Sequence, residues 1–187
     1  MSSVRLYILG ALAEHGPMHG HQIRREAQTN RTELWTDIKV GSLYAALGRM
    51  ADEGIIEAVR TERAGNMPAR TVYAITDTGR QELAVLRGDV LREVHLRPDP
   101  VDLALQYSAA LGADALITAF TNRRAALRAE LDTWRLLHAE ALPHLRGTEP
   151  LSFAHTIMRL EAEIAWHDHV LDELPSALAA PDQETPP

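Results

Sequence analysis

The 187-residue sequence has no cysteine. Disulfide bonds, thiol catalysis and thiolate metal ligands are therefore excluded, and a reducing cytoplasm is the location we expect. No uninterrupted apolar run approaches the ~20 residues that a membrane-spanning helix needs. The first residues also show no charged segment followed by an apolar core, so neither a signal peptide nor a membrane partner is predicted.

Motifs that mark common enzymes are missing as well. The sequence has no Gly-rich phosphate loop, no Gly-x-Ser-x-Gly elbow and no cluster of carboxylates between strands, so we do not expect an enzyme. It has nine histidines, but no His-Glu-x-x-His pattern, and His167 and His169 are two apart and would not share a helix face. No metal site and no cofactor are predicted, and His19 and His21 are expected to form the turn into a helix.

Lysine is almost absent, since Lys39 is the only one among the 19 Lys and Arg residues. The net charge of −7 is unevenly distributed: residues 1–97 hold 13 basic and 12 acidic residues, and residues 98–187 hold 6 and 14. The acidity therefore belongs to the C-terminal half, and the N-terminal half can carry a local basic face. Arginine suits such a face because it binds guanine or phosphate through two parallel hydrogen bonds.

The segment 39–54 predicts a short, two-sided helix that ends at Gly54. Leu43, Leu47 and Met50 recur at helical spacing and form its predicted buried stripe. The opposite face carries small and hydrogen-bonding side chains, which are Ser42, Tyr44, Ala45 and Arg49. Such a face suits insertion into a DNA groove, although an ordinary surface helix of a small α domain would show the same pattern.

The elements around this helix follow a recognisable order. Two helices are predicted before it, and a strand, a turn-rich tip, a returning strand and a further helix are predicted after it. The two helices cover 4–14 and 21–28. The first strand covers 55–62, the tip 63–69 and the returning strand 70–75, and Thr76 and Asp77 cap the helix that follows. This is the order of a winged helix-turn-helix, in which the third helix reads the major groove and the hairpin is the wing.

Four segments of this region form a specific set. They are His19-Gly20-His21-Gln22-Ile23, Gly41-Ser42-Leu43-Tyr44-Ala45-Ala46-Leu47, Met50-Ala51-Asp52-Glu53-Gly54-Ile55-Ile56 and Tyr73-Ala74-Ile75-Thr76-Asp77-Thr78-Gly79. In sequence and order they resemble the PadR family of transcriptional regulators, from Val4 to about Leu86 and only weakly beyond. The resemblance implies a dimeric winged-helix regulator, usually a repressor and often released by a small molecule. His21 departs from the family, which usually has Tyr there, as does the Gly65-Asn66-Met67-Pro68 wing tip.

The third helix and the hairpin together form the predicted DNA-binding surface. Basic residues lie on or near both elements, where a duplex would pass, and each of them is equally compatible with a solvated charged surface. The predicted DNA-binding residues are Lys39, Ser42, Tyr44, Ala45, Arg49, Arg63, Asn66 and Arg70.

The C-terminal half is predicted to be helical, so the fold class is mainly α with a small β-hairpin wing. Pro98 and Pro100 break the chain and give the best domain boundary, and Pro175 is expected to end the last helix. The predicted helices cover 76–96, 101–111, 113–144 and 151–174. The predicted parts are a winged-helix domain with its linker helix (1–97), a helical dimerisation and effector domain (98–175) and a disordered tail (176–187).

Steps of three and four residues in the last helix form an a/d seam about three heptads long. We expect it to pair two chains, because a dimer spans two half-sites of DNA, although a contact within one chain would use the same pattern. Trp134 and Trp166 are candidates for a pocket that binds a small planar effector, but packing in the core is the favoured role. The predicted dimerisation residues are Ile157, Leu160, Ile164 and Leu171.

These observations predict a homodimeric, ligand-responsive transcriptional repressor that binds double-stranded operator DNA. The alternative is a protein-interaction adaptor that uses the winged helix as a scaffold and does not bind DNA. A salt-dependent shift of promoter DNA would separate the two, because phosphate contacts release counterions. The operator, the effector, the regulated genes and the direction of regulation do not follow from the sequence.

Overall fold

The computed structural model describes residues 3–29, 40–63, 69–96, 98–108 and 110–179. The chain divides into two compact units, Met1–Leu96 and Arg97–Pro187, one residue away from the boundary predicted at 97/98. The described residues of each unit form a hydrophobic core of their own. Within these ranges, no helical stretch combines the length and the apolar character that a bilayer-spanning segment requires.

The described part of the N-terminal unit places helices around a small sheet. Its elements are α1 (Ser3–His15), β1 (Met18–His19), α2 (Gly20–Thr29), α3 (Val40–Asp52), β2 (Ile56–Glu62), β3 (Arg70–Ile75) and α4 (Asp77–Arg92). The sheet is antiparallel with the strand order β1-β3-β2. The predicted winged-helix order of helices and hairpin is therefore confirmed.

Strand β1 is the element that the sequence pattern did not predict. Its two residues pair with β3, Met18 opposite Tyr73 and His19 opposite Val72. A two-residue strand shows no alternation of its own, so this one forms because the fold brings β3 beside it. The pairing fixes the chain just before α2, the first helix of the helix-turn-helix.

The core of the N-terminal unit lies where helical spacing predicted it. The predicted buried stripe of α3, which is Leu43, Leu47 and Met50, is 0–2% exposed. Leu9, Leu12, Ile23 and Ile56 join it at 0–1% exposure. Full burial of such a side chain contributes about 1.5–3 kcal/mol, so this cluster is a main source of the unit's stability.

Helix α3 ends at Gly54, which adopts the left-handed conformation with φ of 73°. The Ile55 amide donates to the Met50 carbonyl (3.1 Å), and the Gly54 amide donates to the Ala51 carbonyl (3.0 Å). These are the two hydrogen bonds of a Schellman motif. They confirm the predicted end of the helix and turn the chain directly into β2.

The start of α4 packs onto that same turn. Thr76 caps α4 by accepting from the Gly79 amide (3.1 Å), and its hydroxyl donates to the Gly54 carbonyl (2.9 Å). A Cβ at position 79 would lie 2.1 Å from the Ile55 carbonyl oxygen, so only glycine fits there. Two of the four PadR-like segments, 50–56 and 73–79, therefore meet in one tight contact. Their glycines stabilise the fold at this point.

An ion-pair cluster connects α1 to α4. Arg5 donates two hydrogen bonds to Glu82, from Nε to Oε1 at 2.6 Å and from Nη2 to Oε2 at 2.9 Å, and it also pairs with Glu53. The Glu82 hydrogen bond, supported by Glu53, raises the pKa of Arg5 above its ordinary value. A bidentate pair of this kind fixes geometry as well as charge, so it sets how α1 packs on α4.

The C-terminal unit is a helical hairpin preceded by a short helix. Its described elements are α5 (Pro100–Gln106), α6 (Ala113–Ala141), a 3₁₀ turn (Leu142–His144) and α7 (Glu149–Ala179). Helices α6 and α7 pack along each other. Leu116, Phe120 and Leu174 are 4–7% exposed and form the centre of an apolar cluster between them.

A polar network joins the start of α5 to this hairpin. Asp99 caps α5 by accepting from the Val101 amide (2.9 Å) and pairs with Arg123 of α6. Arg123 Nε donates to His167 Nε2 of α7 at 2.9 Å, and His167 Nδ1 lies 2.7 Å from the Glu163 carbonyl oxygen. A guanidinium cannot accept, so Nε2 accepts, Nδ1 donates, and the fully buried His167 is neutral.

Helices α4 and α5 each end several residues earlier than predicted. Helix α4 ends at Arg92 rather than 96, and α5 ends at Gln106 rather than 111. Leu91 and Leu96 are 86% and 85% exposed. These two side chains are therefore not packed against the described residues of the chain, and tertiary packing is what sustains most helices.

Helix α7 ends later than predicted, because it continues through Pro175 to Ala179. A proline this near a helix end removes one hydrogen bond, while the adjacent Leu174 is only 7% exposed and holds the last turns in place. The prediction that Pro175 ends the helix is wrong. Of the tail predicted at 176–187, residues 176–179 are helical and 180–187 lie outside the described residues.

Candidate nucleic-acid interface

Helix α2 begins with a reciprocal cap made by His19 and Gln22. His19 Nδ1 accepts from the Gln22 amide (3.1 Å), and the His19 amide donates to Gln22 Oε1 (2.9 Å). This is the geometry of a capping box, with an imidazole in place of the usual hydroxyl. The prediction that His19 forms the turn into the second helix is confirmed, and the cap sets the start of α2 at Gly20.

Gly20 is the point where α2 meets α3. A Cβ at this position would lie 2.8 Å from Tyr44 Cε1 and 3.1 Å from Leu47 Cδ1. Because glycine has no Cβ, the Tyr44 ring can lie against the backbone of α2 while remaining 50% exposed. The position of this ring is therefore set by a residue of the neighbouring helix.

Helix α3 has the two faces that its sequence predicted. One face is 0–2% exposed and consists of Leu43, Leu47 and Met50. On the other face Ser42 is half-buried, and three residues are exposed, which are Tyr44, Ala45 and Arg49. The outward face is thus accessible along the length of the helix, whereas Lys39 lies outside the described residues.

A groove of about 370 Å³ opens between the start of α2, the outward side of α3 and strand β3. Its described lining contains imidazole, phenol and guanidinium groups and no carboxylate. The lining residues are His19, Gly20, His21, Tyr44, Leu47, Ala69, Arg70, Thr71 and Tyr73. Tyr44 belongs both to this groove and to the outward face of α3, so the two form one continuous surface.

The hairpin contributes arginines beside the groove. Arg70 begins β3 and lines the groove, and Arg63 is exposed directly after β2. Arg60 pairs with Glu62 on the same strand at 2.7 Å, which offsets part of its charge. Asn66, the predicted contact at the wing tip, lies outside the described residues.

Sequence reasoning identified Tyr44 and Arg70 but did not find the groove that they share with His21, Thr71 and Tyr73. The available signal was the His19-Gly20-His21 segment, which predicted only a turn. The missing information was the pairing of β1 with β3, because it is this contact between distant residues that brings the start of α2 beside the hairpin.

Trp134 and Trp166 do not line a common pocket. Trp134 packs edge-on against Phe153, with ring centroids 6.0 Å apart, and Trp166 packs edge-on against Phe120 at 5.8 Å. Phe120 and Trp134 are 14 residues apart on α6, which is ~20 Å along a helix. The hypothesis of one effector pocket lined by both tryptophans is therefore corrected, and each ring packs in its own part of the contact between α6 and α7.

The predicted dimerisation seam needs a correction at Ile164. This side chain is 9% exposed within a single chain, in a helix that packs along α6, so it belongs to the core of the hairpin. Ile157, Leu160 and Leu171 are half-buried. These three stay predicted dimerisation residues.

The N-terminal unit has the features of a winged-helix DNA-binding protein, with a hairpin beside a third helix whose outer face is free to enter a groove. Residues 8–85 match the sequence model of the Transcriptional regulator PadR-like family. Within residues 8–85 the chain is therefore similar to this family. This similarity supports a DNA-binding transcriptional regulator, and it supports neither an enzyme nor the adaptor alternative.

Solved structures share the fold over nearly the whole chain. Bacillus subtilis PadR in complex with operator DNA has a TM-score of 0.71 and 22% identity, covering 93% of this chain and 98% of that chain. The structure of the same protein with p-coumaric acid has a TM-score of 0.71 and 21% sequence identity, covering 92% of this chain and 98% of that chain. The Vibrio cholerae virulence activator AphA has a TM-score of 0.66 and 20% sequence identity, covering 94% of this chain and 99% of that chain. None of the curated proteins compared with the chain matches it.

Proposed function

We propose that the chain is a homodimeric transcriptional repressor that binds operator DNA through α3 and the wing and releases it when a small molecule binds. The observation that carries the proposal is the outward face of α3: Tyr44, Ala45 and Arg49 are exposed on a helix whose opposite face is buried. The structure of Bacillus subtilis PadR in complex with operator DNA supports this use of the shared fold. A protein that regulates genes in this way acts in the cytoplasm, the location we propose.

The residue types on this surface match the chemistry of DNA. Ala45 is small enough for close approach to base edges, and Ser42 and Tyr44 offer hydroxyls to bases or phosphates. Arg49 at the far end of α3 can bind guanine or phosphate through two hydrogen bonds. On the hairpin, the proposed backbone or minor-groove contacts are Arg63, Asn66 and Arg70, and Lys39 is a further proposed contact ahead of α3.

Pairing of two chains would add the contacts of two half-sites. Large apolar side chains on α6 and α7 favour such pairing, since Leu136, Leu151 and Met158 are 60–66% exposed in a single chain. Pairing with a second chain would remove this apolar surface from water. We propose that it pairs with a second copy, together with the half-buried Ile157, Leu160 and Leu171.

Release by a small planar molecule is supported by the structure of Bacillus subtilis PadR with p-coumaric acid. The packing of Trp134 and Trp166 in separate aromatic contacts gives no reason to place the effector between them.

The DNA-binding surface is tested by Tyr44→Ala. We expect operator affinity to fall about tenfold or more, because the loss of a hydrogen bond to a charged phosphate costs about 1.5–3 kcal/mol. Non-specific DNA should weaken too, since phosphate contacts act on all sequences alike. Fluorescence titration with both DNAs measures this, and Val85→Ala, an exposed residue of α4, is the matched control. Unchanged affinity for both DNAs would refute the placement of Tyr44.

A further inference from the structure

The groove between α2, α3 and β3 differs in charge from the chain that contains it. The chain has 26 acidic against 19 basic residues, yet no carboxylate is found among the described residues that line this groove. Its ionisable lining residues are His19, His21, Tyr44, Arg70 and Tyr73. A groove with this lining favours an anion, because each of these side chains is either a cation or a hydrogen-bond donor.

The groove is also placed where DNA would meet it. Tyr44 lies in the groove and on the outward face of α3, and Arg70 lies in the groove at the start of the returning strand of the wing. A duplex that contacts both α3 and the wing must pass the mouth of the groove. The anion that fits this position is therefore a phosphate of the DNA backbone.

We propose that the groove binds a backbone phosphate of the operator and that His21 binds it in the protonated form, together with Arg70. The inference rests on the proposed DNA-binding function and deepens it. His21 is exposed as the second residue of α2, and its ring centroid is 6.1 Å from that of His19. An exposed imidazole changes its charge between pH 5 and 8, so this contact makes DNA binding depend on pH.

The two histidines of the groove have different roles. His19 Nδ1 accepts the Gln22 amide, so its neutral ring carries the proton on Nε2, and protonation of Nδ1 would break the cap of α2. His19 therefore serves the fold in its neutral form. His21 follows the cap, and its charge is the one available for a ligand.

Charged and titratable groups lie on the elements around His21. These are His19 of β1, Tyr44 of α3, Arg70 and Tyr73 of β3, and Arg24 and Arg25 of its own helix. The nearest acidic residue of α2, Glu26, contacts His15 of α1 at 3.4 Å. A bound phosphate favours the charged form of the His21 imidazole over the neutral form. DNA binding thus takes up a proton, and affinity rises as the pH falls.

The test is the salt dependence of operator binding by the full chain at pH 6 and pH 8. For the wild type we expect tighter binding and a steeper salt slope at pH 6, by about one unit for each bound protomer, because each additional phosphate contact releases about one counterion. His21→Gln should show the same slope at both pH values. His21→Arg should show the steeper slope at both, because arginine keeps its charge.

His95→Gln is the matched control, since His95 is an exposed histidine of the same unit and lies outside the groove. It should keep the pH difference of the wild type, and circular dichroism should show all variants folded. A pH difference that persists in His21→Gln, or that is absent from the wild type while the operator is still bound, overturns the role of His21 and leaves the proposed function standing. Failure of the wild type to bind operator at either pH overturns both.

Discussion

The two units of the chain bury their cores to different depths. In the N-terminal unit, side chains from α1, α2 and α3 are 0–1% exposed, among them Leu9, Ile23 and Leu43. In the C-terminal unit, the buried apolar side chains are 4–9% exposed, and the most deeply buried of the large side chains is His167. The first core is enclosed by helices and a sheet, whereas the second lies between two long helices.

The difference shows how much apolar surface two packed helices can bury by themselves. A helix pair covers one stripe of each helix, so the hairpin of α6 and α7 leaves large apolar side chains such as Leu151 and Met158 in solvent. Its buried histidine is satisfied through Arg123, which is in turn paired with Asp99. The core of the N-terminal unit is thus enclosed by elements of a single chain, while the C-terminal unit has a surface suited to a partner.

The largest effect is expected from Ile164→Asp, which tests whether the hairpin core lies within one chain. An unpaired buried charge costs about 3–5 kcal/mol, so the C-terminal unit should lose its cooperative thermal unfolding while the N-terminal core persists. Circular dichroism melting measures this. Leu171→Asp, at a half-buried position of the same helix, should cost less. A mutant that melts like the wild type but is monomeric by light scattering would show that Ile164 faces a partner chain instead.

A smaller effect, confined to the N-terminal unit, is expected from Gly20→Ala. The new Cβ would lie 2.8 Å from Tyr44 Cε1 and displace the exposed ring, so operator affinity should fall about tenfold, ~1.4 kcal/mol. Stability should fall as well, because the same Cβ would lie 3.1 Å from Cδ1 of the buried Leu47.

The matched control for this change is Gly10→Ala in α1, where a Cβ meets nothing within 4 Å. It should leave operator affinity unchanged. In a Tyr44→Ala background, Gly20→Ala should have no further effect on affinity if it acts through the Tyr44 ring. Full additivity of the two losses would show that Gly20 acts by another route.

The smallest effect is expected for the acid stability of the C-terminal unit, and Asp99→Asn tests it. The hydrogen bond from the Val101 amide, together with the charge of Arg123, lowers the pKa of Asp99 below its ordinary value. Asp99 therefore contributes stability above about pH 4, its unfolded pKa, and the contribution is lost as the pH falls through the lowered value. Asp99→Asn keeps a good helix cap but removes the ion pair, so unfolding between pH 2.5 and 6 should depend less on pH.

Asp172→Asn, at an exposed position of α7, is the control for this acid experiment. Urea unfolding followed by circular dichroism should give it the pH dependence of the wild type. Equal pH dependence of Asp99→Asn and the wild type would mean that the Asp99–Arg123 pair does not contribute to acid stability.

Much of the N-terminal fold could be predicted because its signals are local. The spacing of Leu43, Leu47 and Met50, the glycine at 54 and the cap at Thr76 each act within a few residues of where they stand. The outward face of α3 followed from the same spacing. Prediction was weaker at the ends of helices. Leu96 was included in the predicted helix 76–96 but lies beyond the end of α4 and is 85% exposed, and Pro175 proved compatible with the helix that it was expected to end.

The sequence by itself determined the order of helices and strands in the winged helix and the division of the chain into a near-neutral and an acidic half, because periodicity, caps and charge are properties of neighbouring residues. The tertiary structure decided what depends on distant ones. It brought Met18 beside Tyr73, so that a groove forms at the start of α2, and it brought Arg123 to His167, 44 positions away, which sets the proton of the imidazole. It also decided that Ile164 is buried in its own hairpin, because an a/d pattern specifies a helical partner and not the chain that supplies it.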